Sequence, residues 1–230
     1  MNVRAILLDI EGTTTPIAFV HEVLFSYART HARDFLATNS NSAEVNADIA
    51  LLREEHAADL NKGNHPPDSI TDYVDWLIER DRKSTGLKSL QGKIWRQGYV
   101  DGSLKSQVYA DVAPALERWR AQGLSINIFS SGSVLAQQLL FAHTEAGDLT
   151  KFIDNYFDTN IGKKGEAASY RRIAEALSLN TNEVLFISDV VAELDAATEA
   201  GMSTLLSIRP GNPPQNNADR YRAIHTFDEI

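Results

Sequence analysis

Four short runs of consecutive apolar residues constrain the fold of this chain most strongly. Each run is continuous rather than alternating, which is typical of strands buried on both faces of a parallel sheet. Helical patterns separate the later runs, and this alternation predicts an α/β fold with a doubly wound, mainly parallel sheet. The apolar runs cover residues 3–10, 124–130, 183–188 and 203–208, and the helical patterns cover 133–146, 166–177 and 192–200.

The chain departs from this alternation directly after the first run. Residues 19 to about 107 show consecutive helical patterns and no convincing strand. We therefore expect a helical cap domain at 17–106, inserted into a Rossmann-like core made of 1–16 and 107–230. Ligands of open α/β sheets bind at the carboxyl ends of the strands. An insert that leaves the end of the first strand is thus expected to act as a lid.

Composition excludes several classes of function. The net charge of -9 argues against a nucleic-acid partner. The absence of cysteine excludes disulfides, thiolate nucleophiles and cysteine-ligated zinc. No signal peptide or apolar span of membrane length is present, so we expect a cytoplasmic protein without a membrane partner. Since no heptad seam is evident, a monomer is expected.

Acidic residues follow two of the predicted strands. Asp9 comes directly after the first run, with Glu11 two residues on, and Asp189 follows the third run, with Glu193 four residues further. If the extended conformation persists, Asp9 and Glu11 point to the same side. Two acids there can supply a nucleophile or metal ligand and a proton-transferring partner. Taken singly, each of these acids is better explained as part of a turn, a solvated strand end or a helix cap.

Hydroxyls and lysines complete the pattern. Ser130, Ser131 and Gly132 follow the second run and open a helix, where free N–H groups suit an anion. Lys163 and Lys164 precede another helix, a position that is unfavourable to a cation unless an anion shares the space. Acids, hydroxyls and a lysine at neighbouring strand ends together predict phosphoryl transfer with Mg²⁺.

The order of these motifs resembles the haloacid dehalogenase superfamily of phosphatases. The resemblance implies that Asp9 is a nucleophile forming an aspartyl-phosphate and that Ser130 and Ser131 bind the phosphoryl group. It also implies that Lys164, chosen over the adjacent Lys163, stabilises both the nucleophile and the phosphoryl group. Asp189 would help hold Mg²⁺. Glu193 is expected to supply a supporting carboxylate.

Glu11 narrows the resemblance, because most phosphatases of the superfamily carry Asp there. The octapeptide at 9–16 is similar to the enolase-phosphatase (acireductone synthase) branch of methionine salvage. Its substrate would be 2,3-diketo-5-methylthiopentyl-1-phosphate, enolised and then dephosphorylated to the acireductone 1,2-dihydroxy-3-keto-5-methylthiopentene. Mg²⁺ would be held by Asp9, Asp189 and the backbone carbonyl of Glu11. Further stretches that agree with this branch are 94–99, 109–112, 130–133, 161–164 and 209–212.

Several points stay open at this level. The base for enolisation is unassigned, with Glu11 as a candidate. The cap is expected to contact the methylthio tail, and His21 is the cap residue that we would test, although a lone histidine is more often a surface residue. The alternatives are a general Mg²⁺-dependent phosphomonoesterase on the same scaffold and a non-catalytic module that binds a phosphorylated ligand.

Overall fold

A computed structural model describes residues 3–80, 82 and 84–230. Its sheet has six strands in the order β3-β2-β1-β4-β5-β6, and every neighbouring pair is parallel. The chain therefore starts at the centre of the sheet and crosses over to both sides, which confirms the doubly wound α/β prediction. The strands are β1 Ala5–Leu8, β2 Ser125–Phe129, β3 Asn155–Phe157, β4 Val184–Ser188, β5 Ser203–Ser207 and β6 Ala223–Ile224.

The four central strands arise from the four apolar runs, and each strand is one to four residues shorter than its run. Helices cover the sheet, and a buried cluster between the sheet and two of them includes Leu7, Phe129, Tyr170, Phe186 and Leu194. The helices of this part are α5 Val112–Ala121, α6 Val134–Ala142, α7 Ala167–Ala176 and α8 Val191–Ala200, numbered after the four helices of the insert.

All regular secondary structure in the described residues of the insert is helical, and turns and loops join the helices. It begins with a π-helix, Phe19–Phe25, which passes directly into α1. Serine hydroxyls at residues 42, 69 and 84 accept hydrogen bonds from the first turns of α2, α3 and α4, which explains where these helices begin. The helices are α1 Ser26–Thr38, α2 Ala43–Asn61, α3 Ile70–Glu79 and α4 Thr85–Asp101.

The chain divides into two compact units. The first consists of Met1–Val20 and Lys105–Ile230 and contains the sheet, and the second is His21–Leu104. These limits lie close to the predicted boundaries at 16/17 and 106/107. The role of the second unit as a lid stays a prediction. Within the described part of the chain, no helix combines the length and apolarity that crossing a bilayer requires.

Candidate active site

The polar residues predicted at strand ends follow three adjacent strands. Asp9 follows β1, Ser130 follows β2 and Asp189 follows β4, and β1 lies between the other two. All three side chains are buried, with 4 to 6% of their surface exposed. Because the strands are parallel, their carboxyl ends meet at one edge of the sheet. The first unit thus places all three residues at the edge where α/β proteins bind ligands.

Lys164 links two carboxylates at this edge. Its Nζ lies 2.6 Å from Asp9 Oδ1 and 2.7 Å from Glu193 Oε2. Burial alone would lower the pKa of the Lys164 ammonium, but the charges of Asp9 and Glu193 outweigh it and raise that pKa. The lysine therefore stays charged. The carbonyl of Lys164 also accepts a hydrogen bond of 2.7 Å from the Tyr170 hydroxyl, which holds its backbone against α7.

The two carboxyl oxygens of Asp9 have different surroundings. Oδ1 accepts hydrogen bonds from Lys164 Nζ and from the backbone N–H of Ile10, at 2.6 and 2.7 Å. Oδ2 has a longer contact of 3.3 Å with the Ser188 hydroxyl, which also lies 2.9 Å from Glu193 Oε2. Since a hydroxyl has one proton, the shorter contact to Glu193 is the stronger. The stronger donors thus meet Oδ1 and leave Oδ2 the more available oxygen.

Among the acids Asp9, Asp189 and Glu193, the charge of Asp189 is the least compensated, because Lys164 pairs with the other two. Burial raises its pKa to about 7, assisted by the negative charges of Asp9 and Glu193, and Lys164 offsets this only in part. Burial likewise raises the pKa of Glu193 to about 7, assisted by the negative charge of Asp9, and Lys164 and Ser188 offset this only in part. One ammonium among three acids leaves this edge of the sheet short of positive charge. A bound cation would supply it.

Gly12 allows the loop after β1 to come close to Asp189. Its φ is +66°, and a Cβ at this position would lie 2.3 Å from Asp189 Oδ2. Any side chain would therefore displace the carboxylate, in addition to straining the backbone. Glycine is required here both for conformation and for space.

The structure corrects one argument about Glu11. We expected Asp9 and Glu11 to point to the same side on the condition that the extended conformation persists beyond Asp9. Instead β1 ends at Leu8, and the N–H groups of Thr13, Thr14 and Thr15 all donate to the carbonyl of Ile10. Residues 10–15 therefore form a tight turn, and the alternation of a strand no longer relates the two acids. Glu11 lies in this turn and is partly exposed.

The hydroxyl-rich segment after β2 forms a compact turn before α6. Ser130 Oγ accepts a hydrogen bond of 3.2 Å from the Gly132 N–H, and the Gly132 carbonyl accepts one of 2.8 Å from Gln137. Ser131 is exposed, and Ser133 caps α6. The turn is thus held from both ends while Ser130 stays buried at the sheet edge.

Two further candidates lie elsewhere. The Lys163 side chain is 82% exposed and pairs with Glu166, so Lys164 is the lysine that reaches Asp9. His21 belongs to the second unit, where its exposed ring packs edge-on against Phe25 at 5.5 Å. Its role in catalysis or tail recognition stays a prediction.

Comparison with known proteins shows which family this chain belongs to. Residues 3–201 match the haloacid dehalogenase-like hydrolases. An enolase-phosphatase E1 from Synechococcus elongatus is 54% identical over 237 residues, covering 100% of this chain and 98% of that protein. This chain belongs to the enolase-phosphatase E1 family. The resemblance noted from the motifs is thereby confirmed, and the chain is a hydrolase.

Other members of the enolase-phosphatase E1 family agree. The protein from Sorangium cellulosum is 49% identical over 230 residues, covering 99% of this chain and 97% of that one. Among solved structures, the UTR4 protein from Saccharomyces cerevisiae superposes with a TM-score of 0.82 at 35% identity, covering 100% of both chains. The similarity therefore includes both units of the chain, not the hydrolase core alone.

Some residues of the site were not predicted. Ser188, which contacts both Asp9 and Glu193, ends an apolar run and was counted as part of the strand. Arg209 and Asn212 were noted only as part of a stretch shared with the family, yet both donate to the loop that follows β1. A polar residue closing a buried strand, like Ser188, is a signal that sequence reasoning can use.

Proposed function

We propose that this chain is the Mg²⁺-dependent enolase-phosphatase of methionine salvage. It converts 2,3-diketo-5-methylthiopentyl-1-phosphate through its enol phosphate to the acireductone and inorganic phosphate. The observation that carries this proposal is Asp9, a buried carboxylate whose Oδ1 is held by Lys164 while its Oδ2 stays available. Membership of the enolase-phosphatase E1 family supports the specific substrate. That the enzyme is a cytoplasmic monomer stays a prediction.

The residues of the site fit a magnesium ion. Nowhere in residues 3–80, 82 and 84–230 do three or more carboxylate or imidazole side chains converge as a metal cage. A hard cation would instead be held by Asp9, Asp189 and the backbone carbonyl of Glu11, because oxygen atoms are the ligands that such a cation prefers. The raised pKa of Asp189 supports this, because burial and the charges of Asp9 and Glu193 raise it and a cation would stabilise the ionised carboxylate against both. When bound, such an ion would neutralise charge on the phosphate and on a developing enolate.

Asp9 is proposed to act as the nucleophile. Lys164 and the Ile10 N–H fix Oδ1, so Oδ2 attacks phosphorus. A P–O bond forms to Asp9 while the bond from phosphorus to the substrate oxygen breaks. Water then attacks phosphorus, which releases inorganic phosphate and regenerates the Asp9 carboxylate. Ser130, the Ser131 N–H and Lys164 bind the phosphoryl oxygens during both steps.

Glu11 is proposed to move the protons. As an acid it protonates the departing substrate oxygen, and as a base it takes a proton from the attacking water. It is also our candidate for the base that removes the carbon-bound proton during enolisation. Glu193 contacts Lys164 and Ser188 rather than the reacting atoms, and so orients the groups around Asp9.

The decisive experiment supplies the diketone phosphate with and without Mg²⁺ and follows enol and inorganic phosphate separately. The diketone absorbance should fall before phosphate appears, and both signals should require Mg²⁺. Phosphate release without a preceding enol would reduce the function to that of a general phosphomonoesterase. Failure to turn over any phosphate ester would leave a phospho-ligand binding module.

The Glu11→Ala variant tests whether one carboxylate serves both steps. We expect it to lose both enolisation and rapid phosphate release, because one carboxylate serves both. Glu117→Ala, in α5, is the matched control. Enolisation at the normal rate by Glu11→Ala would exclude Glu11 as the carbon base and leave only its role in phosphoryl transfer.

A further inference from the structure

Two stretches without an assigned role meet at the loop that follows Asp9. Residues 109–112 (Tyr-Ala-Asp-Val) and 209–212 (Arg-Pro-Gly-Asn) both contact the backbone of Gly12 to Thr14. We propose that Arg209 and Asn212 are positioning residues, which hold this loop so that Asp9 and Glu11 face the phosphate and its metal ion. The inference rests on the proposed function, because it assigns these residues to the same site.

Asn212 holds the carbonyl of Gly12. Its Nδ2 donates to the Gly12 carbonyl at 2.9 Å and to the Ser207 carbonyl at 3.3 Å. Since carbonyls only accept hydrogen bonds, the amide orientation is determined by its partners. The Ser207 hydroxyl donates to the same Gly12 carbonyl at 3.2 Å. The Gly12 peptide therefore has two donors on its oxygen and cannot rotate without losing both.

Arg209 holds the next carbonyl. Its Nε donates to the Thr13 carbonyl at 3.2 Å. The guanidinium is itself held by Asp111 Oδ2 at 2.8 Å and lies over the rings of Tyr109 and Phe227, at 4.7 and 4.5 Å from their centroids. The side chain is 3% exposed, so this ion pair is well shielded from water. Arg209 is thus a rigid support rather than a surface charge.

The third carbonyl, that of Thr14, accepts a hydrogen bond from the stretch 109–112. The Tyr109 N–H donates to the Thr14 carbonyl at 3.0 Å. Three successive carbonyls of the loop therefore accept hydrogen bonds from the two stretches. Inside the turn, the N–H groups of Thr13, Thr14 and Thr15 converge on the Ile10 carbonyl, while the Ile10 N–H holds Asp9 Oδ1. The support at Gly12 and Thr13 is thus transmitted through Ile10 to Asp9 and, through the intervening peptide, to Glu11.

The far side of the Asn212 amide approaches Asp189. The point where a Cβ on Gly12 would lie is 2.9 Å from Asn212 Oδ1 and 2.3 Å from Asp189 Oδ2. Asn212 Oδ1 is buried and accepts no hydrogen bond from the described residues. Replacing the amide by a carboxylate would thus remove the hydrogen bonds of Asn212 to the Gly12 and Ser207 carbonyls and add negative charge beside Asp189.

The test compares Asn212→Asp and Arg209→Lys with matched controls. Asn216→Asp makes the same change at an exposed asparagine of the same loop, and Arg220→Lys makes it in an exposed pair with Asp195. Three quantities are measured for each protein: kcat and KM for the diketone phosphate, the affinity for Mg²⁺ with beryllium fluoride by calorimetry, and Tm.

We expect Asn212→Asp to lower both kcat and the affinity for Mg²⁺ with beryllium fluoride by about 10- to 100-fold, as the loss of groups that orient metal ligands does elsewhere. KM should change less than kcat. Arg209→Lys keeps the charge toward Asp111 but loses the Nε donor, and should show a smaller loss in the same direction. Both controls should match the wild type.

A lower Tm with unchanged kcat and affinity would mean a merely structural role and overturn the inference, as would equal binding by wild type and Asn212→Asp. If Arg209→Lys folds poorly, Asn212→Asp alone decides. Absence of beryllium fluoride binding by the wild type would overturn the proposed function and this inference together. Intact binding that depends on Asn212, without turnover of the diketone phosphate, would overturn only the proposed substrate.

Discussion

Buried acids of the second unit pair one to one with cations, whereas the acids at the sheet edge of the first unit do not. In the second unit, the buried carboxylate of Asp48 lies 2.5 Å from Lys93 Nζ. The buried carboxylate of Asp59 lies 2.6 Å from Arg82 and also accepts hydrogen bonds from Tyr73 and Asn64. Each of these acids thus has a cation of its own, as folding alone would require.

The first unit shares Lys164 between Asp9 and Glu193, and Asp189 forms no ion pair within the described residues. The pKa values reflect the difference. Burial raises the pKa of Asp189 to about 7. Burial also acts to raise the pKa of Asp59, but there Tyr73, Asn64 and Arg82 outweigh it and the pKa falls below its usual value. Unbalanced buried charge destabilises a fold, so its presence at one sheet edge indicates that function maintains it.

The largest effect should come from Asp9, at the centre of the unbalanced group. Asp9→Asn removes the proposed nucleophile while keeping its size, so phosphate release should fall by at least about 10³-fold. Release is measured with the enol phosphate as well as the diketone, which separates this step from enolisation. Asp228→Asn, at a carboxylate 67% exposed, should stay within about twofold of the wild type. Full phosphate release by Asp9→Asn would show that another group is the nucleophile.

The next effect tests the balanced unit. Asp48→Asn leaves Lys93 buried without its anion and should lower the free energy of unfolding by about 3 kcal/mol. Urea unfolding followed by tryptophan fluorescence measures it. Asp72→Asn, in an exposed pair with Arg33, should cost no more than about 0.5 kcal/mol. Similar small losses for both variants would show that the Asp48 pair is not what stabilises this unit.

The contrast between strands shows what the sequence can predict of the fold. β1, β2, β4 and β5 come from continuous apolar runs, whose burial on both faces requires that composition. The edge strands β3 and β6 have three and two residues, and the first of them includes Asn155 and a partly exposed Tyr156. Segments this short show no periodicity. Their pairing depends on the neighbouring strands and cannot be predicted from their own residues.

The site shows a similar limit. Residues that follow strands directly, such as Asp9 and Asp189, can be located once the strands are known. Asn212 cannot, because its partner Gly12 is 200 positions away and the contact depends on where the chain returns after β5. The adjacent Lys163 and Lys164 likewise differ only in the direction of the backbone before α7. Long-range contacts and local backbone direction are determined by tertiary structure.

Asp189→Asn should change stability in the opposite direction to Asp48→Asn. It removes one negative charge from a group that has too many, so the metal-free protein should gain about 1 kcal/mol at pH 8 while catalysis is lost. Unfolding in the presence of a chelator measures the gain. The same substitution should reduce the stabilisation that added Mg²⁺ gives the wild type. A loss of stability without metal would mean that Asp189 is already compensated in the folded protein.

The smallest effect is the loss at acid pH of the stability that Asp59 contributes to the second unit. Because the folded-state pKa of Asp59 lies below its ordinary value of 3.8, the unfolded chain takes up a proton first as the pH falls. The stability that Asp59 contributes is therefore fully present above about pH 5 and is lost as the pH falls through the lowered pKa. Asp59→Asn should be less stable than the wild type at pH 7, and the gap should narrow by about 1 kcal/mol near pH 3. Urea unfolding at both pH values measures the gap, and an equal gap at both would show that the balance of charge around Asp59 contributes nothing that acid removes.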